Sequence, residues 1–192
     1  MNLLEACFDE AVWSDAIDKG IPKTIDNRIL RRFCTPDAKL KLLDQILAGE
    51  YHISPPRVVR VPKDNGKIRE IYVNTCRDRL ILAVINSAYY KLFNPVLAGS
   101  AKAYREGCSC AKTVREIANI PKIGYKPDLS KYFDSVPIDV INDALNELDT
   151  GSPMDSVVRA YYNDNRVVRD GQIAVQYKSL AQGCAIEYVA SK

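Results

Sequence analysis

An α+β fold is predicted for these 192 residues by three observations. Apolar residues recur at helical spacing in several stretches, two turn sequences sit between β-rich arms, and 47% of the residues are hydrophobic, enough for one sizeable core or two small subdomains. The elements follow in order. Leu3, Leu4, Cys7, Phe8, Val12, Trp13 and Ile17 predict one amphipathic helix over 3–19, and a second helix is expected from Asp37 to Ala48, stopping before Gly49. Ser54-Pro55-Pro56 breaks that pattern, and RVVRVPKDNGKIREIYV (57–73) reads as a hairpin with a basic tip around Lys63-Asp64-Asn65-Gly66.

The positions Leu80, Ile81, Val84, Ile85, Ala88, Tyr89, Leu92 and Phe93 form a stripe along a helix from Arg77 to Leu97, which should pack under the hairpin. Asn94-Pro95 lies near its end because proline disfavours helix in the residue before it. A further helix is expected over Cys110 to Ala118, and Ile123 to Leu129 looks like a strand running into the carboxylate of Asp128. Pro137–Leu148 and Pro153–Tyr162 read as helices, the first with Pro137 inside its opening turn. Arg166–Val168 and Ile173–Tyr177 are strands flanking Arg169-Asp170-Gly171-Gln172, where Asp-Gly favours a tight turn. No repeat, low-complexity tract or linker divides the chain, so one contiguous unit is expected.

Net charge of +3 permits a nucleic-acid partner without demanding one, so local clustering must decide. The acidic, amphipathic start does not resemble a signal peptide and no apolar run approaches the roughly 18 residues of a membrane span. A soluble, cytoplasmic protein with no membrane partner is expected, its six cysteines reduced. A zinc site is disfavoured, since Cys108 and Cys110 have no second pair and His52 is the one imidazole. His52 itself is expected to be structural or exposed. Tyr161-Tyr162 suits core packing better than base stacking.

Asp128-Leu-Ser-Lys-Tyr-Phe133-Asp134 places a carboxylate at a strand end ahead of two aromatics. Two-metal phosphoryl transfer needs a carboxylate held in this way, although Asp at strand ends is also ordinary capping material. Asp134 is read as a charge at a helix start. The order of blocks adds to this. Asp128 with Phe133 five residues on resembles the first catalytic block of reverse transcriptases. Val61-Pro62-Lys63 through Lys67-Ile68-Arg69 is similar to the fingers hairpin of the bacterial enzymes, and Arg77-Asp78-Arg79 introduces a helix as in the group II intron enzymes. Ala103-Tyr104-Arg105-Glu106-Gly107 resembles the second fingers block, and Gln182-Gly183 the block that follows a palm hairpin.

This resemblance to bacterial reverse transcriptases of the group II intron, diversity-generating or abortive-infection type implies a right-hand polymerase fold. It implies an N-terminal helical segment over 1–50, fingers over 51–120 and an incomplete palm over 121–192. Asp128 would be the catalytic metal ligand, holding Mg2+ together with the carbonyl of Leu129. Lys63 and Arg69 would hold the triphosphate of a deoxynucleotide, Phe133 would exclude a 2′-hydroxyl, and Gln182 and Gly183 would line the nucleotide site. Lys67 and Arg105 would face an RNA template paired with a DNA or RNA primer. The family draws further carboxylates from a Tyr-x-Asp-Asp hairpin that these 192 residues do not contain, so the chain alone is expected not to polymerise. The alternative reading is a non-catalytic nucleic-acid-binding module of the same origin. Without the resemblance, the cations of the hairpin would be a solvated face and Phe133 a core aromatic.

Overall fold

The computed structural model describes residues 1–20, 27–63, 66–93, 109–119, 135–177 and 180. Helices α1 (Leu3–Cys7) and α2 (Glu10–Asp15), with a π-helical turn over Ala16–Gly20, replace the single N-terminal helix expected from periodicity. The reason is local. The Asp9 carboxylate accepts from the backbone N–H groups of Ala11 and Val12, so it caps a new helix instead of sitting inside the old one. The apolar positions keep their roles, since Leu3, Cys7, Val12, Trp13 and Ala16 are all buried. Trp13 donates its indole N–H to the Cys7 carbonyl at 2.7 Å, which holds the two short helices together.

Helix α3 (Asn27–Phe33) has no counterpart in the sequence reading. Helix α4 (Pro36–Leu47) starts one residue earlier than expected, with Thr35 accepting from the Ala38 amide and Pro36 in the first turn. Helix α5 (Cys76–Phe93) is the axis of the core. Leu80 to Ile85, Ala88 and Tyr89 are buried, more of its circumference than a one-sided stripe provides. It packs against α1, α2, the π-turn and α3, which covers it on several sides.

Helix α6 (Cys110–Ala118) has the predicted bounds and buries none of its residues. Helices α7 (Ile138–Glu147) and α8 (Pro153–Asn163) pair with each other, and α8 also meets α1 and α4. Pro137 is the residue that precedes α7, extended at ψ 150°, rather than part of its first turn. Tyr161 and Tyr162 are buried and meet edge to face at 5.5 Å, so they are core aromatics. Buried residues from Leu3 to Leu180 form one cluster, and Tyr72 and Val167 form a second, small one within the sheet.

Strands β1 (Arg57–Pro62) and β2 (Ile68–Val73) form the first hairpin, and β3 (Arg166–Arg169) and β4 (Gln172–Val175) the second. Asp170 and Gly171 both take positive φ, 51° and 81°, the conformation of the tight turn that Asp-Gly favours. The hairpins join into one sheet of order β2-β1-β3-β4, through a parallel contact of Arg57 with Val168 and a 2.9 Å bond from the Val168 amide to the Pro56 carbonyl.

Candidate nucleotide-binding hairpin

The first hairpin is anchored at its base by a buried carboxylate. Asp78, 3% exposed, accepts from the Tyr51 hydroxyl at 3.1 Å, the Ser54 amide at 3.1 Å and the Thr75 hydroxyl at 2.8 Å. The segment entering β1 is thereby tied to the first turn of α5, which leaves β2 two residues earlier. Burial, with Asp78 close by, pushes the Tyr51 phenol above its ordinary range. Asn74 extends the joint, donating to the Ser54 carbonyl at 3.4 Å and accepting from the Tyr161 hydroxyl at 3.2 Å. The expected packing of this helix under the hairpin is not observed: α5 packs against α1, α2, α3 and the π-turn, with no packed contact to β1 or β2 among the described residues, and it meets the base of the hairpin through this polar joint.

Strand alternation then sorts the side chains by face. In the β1–β2 register Val58 lies opposite Tyr72 and Arg60 opposite Glu70; across the second turn Val167 faces Ala174 and Arg169 faces Gln172. On this side Tyr72 and Val167 are buried with Val58 and Ala174 beside them. Charges here are neutralised across strands. Arg169 grips Glu70 with two hydrogen bonds of 2.8 and 2.9 Å and donates to Gln176 at 2.6 Å, while Gln176 donates to the Tyr72 hydroxyl at 2.7 Å. Hydrogen bonds from Arg169 hold the Glu70 carboxyl down to about 2, against the opposing push of burial, with Gln176 and Arg60 helping.

The opposite face carries Arg57, Val59 and Val61 on β1, and Arg69, Ile71 and Val73 on β2. The Lys63 amide donates to the Lys67 carbonyl at 2.7 Å, extending the ladder by one pair, so both lysines continue on this face. Gly66 closes the described part of the turn at φ 75°, and residues 64–65 lie outside the described residues. Lys63, Lys67 and Arg69 are all exposed. Among the described residues, neither Lys63 nor Arg69 has a carboxylate partner. The structure therefore brings together the three hairpin cations predicted from sequence, and adds Arg57, which the sequence reading missed. Its signal was present, since Arg57 precedes Lys63 by an even number of residues along one strand.

The remaining candidates, Asp128, Leu129, Phe133, Arg105, Gln182 and Gly183, lie outside the described residues, as do Tyr104, Asp134, Cys108 and the strand expected over 123–129. Among the described residues no group of three or more metal-ligating side chains converges. Cys7 is buried, Cys34 and Cys76 are half-buried, and Cys110 is exposed, all as free thiols. His52 is exposed. No described helix is long and apolar enough to cross a membrane.

No family model matches the chain. It is 26% identical over 104 residues to a putative COX1/OXI3 intron 1 protein of Saccharomyces cerevisiae, a match covering 53% of this chain and 12% of that protein. It is 24% identical over 102 residues to an uncharacterized 91 kDa protein in a cob intron of Schizosaccharomyces pombe, covering 52% of this chain and 13% of that protein. Protein YkfC of Escherichia coli is 28% identical over 103 residues, which is 50% of this chain and 27% of its own length. The chain thus spans about an eighth of the two yeast proteins. These likenesses support a distant relationship to intron proteins.

Proposed function

We propose that the chain is the fingers and the first part of the palm of an RNA-directed DNA polymerase, and that its first hairpin holds the triphosphate of an incoming deoxynucleotide. The observation that carries this reading is the sorting of charge on one sheet. Lys63 and Arg69 stand exposed without carboxylate partners among the described residues, whereas Arg169 on the other face is bound to Glu70. A point charge beside a planar fork suits a polyphosphate. The distant likeness to intron proteins and the ordered resemblance to reverse-transcriptase blocks support the same assignment.

In this reading Asp128 and the Leu129 carbonyl hold Mg2+, which supplies charge neutralisation at the phosphates when bound. Phe133, Gln182 and Gly183 complete the nucleotide site, and Lys67 and Arg105 contact the template backbone independently of sequence. Asp128 alone cannot supply the ligands of a two-metal centre, so the 192-residue chain binds substrates without joining them.

The test uses the full chain with an RNA template annealed to a DNA primer. Fluorescence anisotropy is read across a salt series, with and without a deoxynucleoside triphosphate matching the first template base. Binding should weaken with salt, and the matched triphosphate should tighten it where a mismatched one does not. Salt-dependent binding indifferent to the triphosphate would favour the binding-module alternative. Absence of binding at low salt would reject both.

A further inference from the structure

Between α3, α4 and α5 lies a cavity of about 290 Å³, lined by none of the hairpin cations. Phe33, Leu42 and Ile81 form its apolar floor, and Arg32, Lys41 and Arg77 stand around it. Arg77 is held in place: its guanidinium donates to Gln45 at 2.8 Å and stacks 5.2 Å from the centre of the Tyr51 ring. Arg32 and Lys41 are exposed, and among the described residues neither is paired with a carboxylate. Three cations stand around an apolar floor, and no carboxylate of the described residues lines the cavity with them.

The geometry points to a binding site here for a phosphate monoester carried on a flat apolar body, a nucleoside monophosphate or a 5′-phosphorylated strand end. The argument rests on charge, shape and size. Guanidinium forks and an ammonium match a dianionic phosphate, and a pre-oriented Arg77 loses little freedom on binding it. Phe33 and the aliphatic floor give the body of the ligand a surface to lie on, while the volume is at the small end of the roughly 300–1,000 Å³ of ligand pockets. The site is independent of the hairpin cations and of any metal.

Calorimetric titration of the full chain with AMP, adenosine and inorganic phosphate, in EDTA to remove magnesium, tests it. AMP should bind at least tenfold more tightly than either adenosine or phosphate. The double variant Arg32→Gln/Lys41→Gln, which alters exposed side chains only and should keep the wild-type circular dichroism, should weaken AMP at least tenfold. Lys63→Ala/Arg69→Ala should leave it within twofold. A 5′-phosphorylated oligonucleotide is compared with its 5′-hydroxyl form: preference for the former assigns the site to strand ends, and equal binding assigns it to free nucleotides. No AMP binding, AMP no better than phosphate, or an affinity that ignores the Arg32/Lys41 change would overturn the assignment. So would loss of AMP binding in the hairpin variant.

Discussion

The two faces of the four-stranded sheet use the same residue types to opposite ends. On one, Arg169 is joined to Glu70 and Gln176, so a strand of the second hairpin is tied to a strand of the first across an intervening strand. On the other, Arg57, Lys63 and Arg69 project between β-branched residues with no carboxylate among the described residues to neutralise them. A positive charge on a strand is therefore structural or available for a ligand according to the parity of its position. Net charge cannot make that distinction, because it sums the two faces together.

The largest effect is expected beneath both faces, at the joint that orients the sheet on α5. Asp78→Ala removes the acceptor of three hydrogen bonds and leaves the Ser54 amide and the Tyr51 and Thr75 hydroxyls without it. A loss of about 3 kcal/mol is expected in urea unfolding, where a buried hydrogen-bonded charge is removed. A loss under about 1 kcal/mol, typical of a surface substitution, would show that the joint contributes little.

On the neutralised face, Glu70→Ala should cost about 1 kcal/mol, since the bidentate pair is partly exposed and solvent screens it. Glu70→Ala and Arg169→Ala should be strongly non-additive in a double-mutant cycle, whereas additive losses would mean that the pair is not a unit. The same pair predicts an acid limb of stability. The Glu70 carboxyl titrates lower in the folded chain than in the unfolded one, so its contribution is complete above the ordinary value near 4.5 and is lost as pH falls toward about 2. Urea midpoints from pH 6 to pH 2.5 should fall less steeply in Glu70→Gln than in the wild type. Parallel curves would contradict the assignment.

The smallest expected effect on stability belongs to the open face. Lys63→Ala/Arg69→Ala should change the unfolding free energy by no more than about 0.5 kcal/mol, because both side chains are exposed and unpaired among the described residues. A larger loss would mean that these cations hold the fold together after all.

Much of this was legible in the sequence where structure is decided locally. The bounds of α6, the Asp170-Gly171 turn and the first hairpin follow from short-range rules of periodicity and turn chemistry. Side-chain competition for backbone amides is less visible. Asp9 splits the N-terminal helix although the apolar spacing continues through it. Helix α3 is short and its sequence, NRILRRF, has too few apolar positions to set a period. Contacts made over long separations were out of reach altogether: the parallel pairing of Arg57 with Val168, the Glu70–Arg169 pair and the meeting of Arg32, Lys41 and Arg77 around one cavity. Of the predicted site, Lys63, Lys67 and Arg69 were readable because a hairpin fixes their spacing, whereas the other named residues lie outside those described.

The central claim is that the face of the hairpin, and not its net charge, binds the nucleotide. The direct test compares two variants of the full chain on the RNA-template and DNA-primer duplex, measuring the dissociation constant of the matched deoxynucleoside triphosphate with magnesium. Lys63→Ala/Arg69→Ala removes two cations from the open face, and Arg60→Ala/Arg169→Ala removes two from the other. The account predicts at least a tenfold weakening in the first and less than a twofold change in the second, provided both are folded. Equal weakening in the two would contradict it, as would triphosphate binding that survives loss of Lys63 and Arg69.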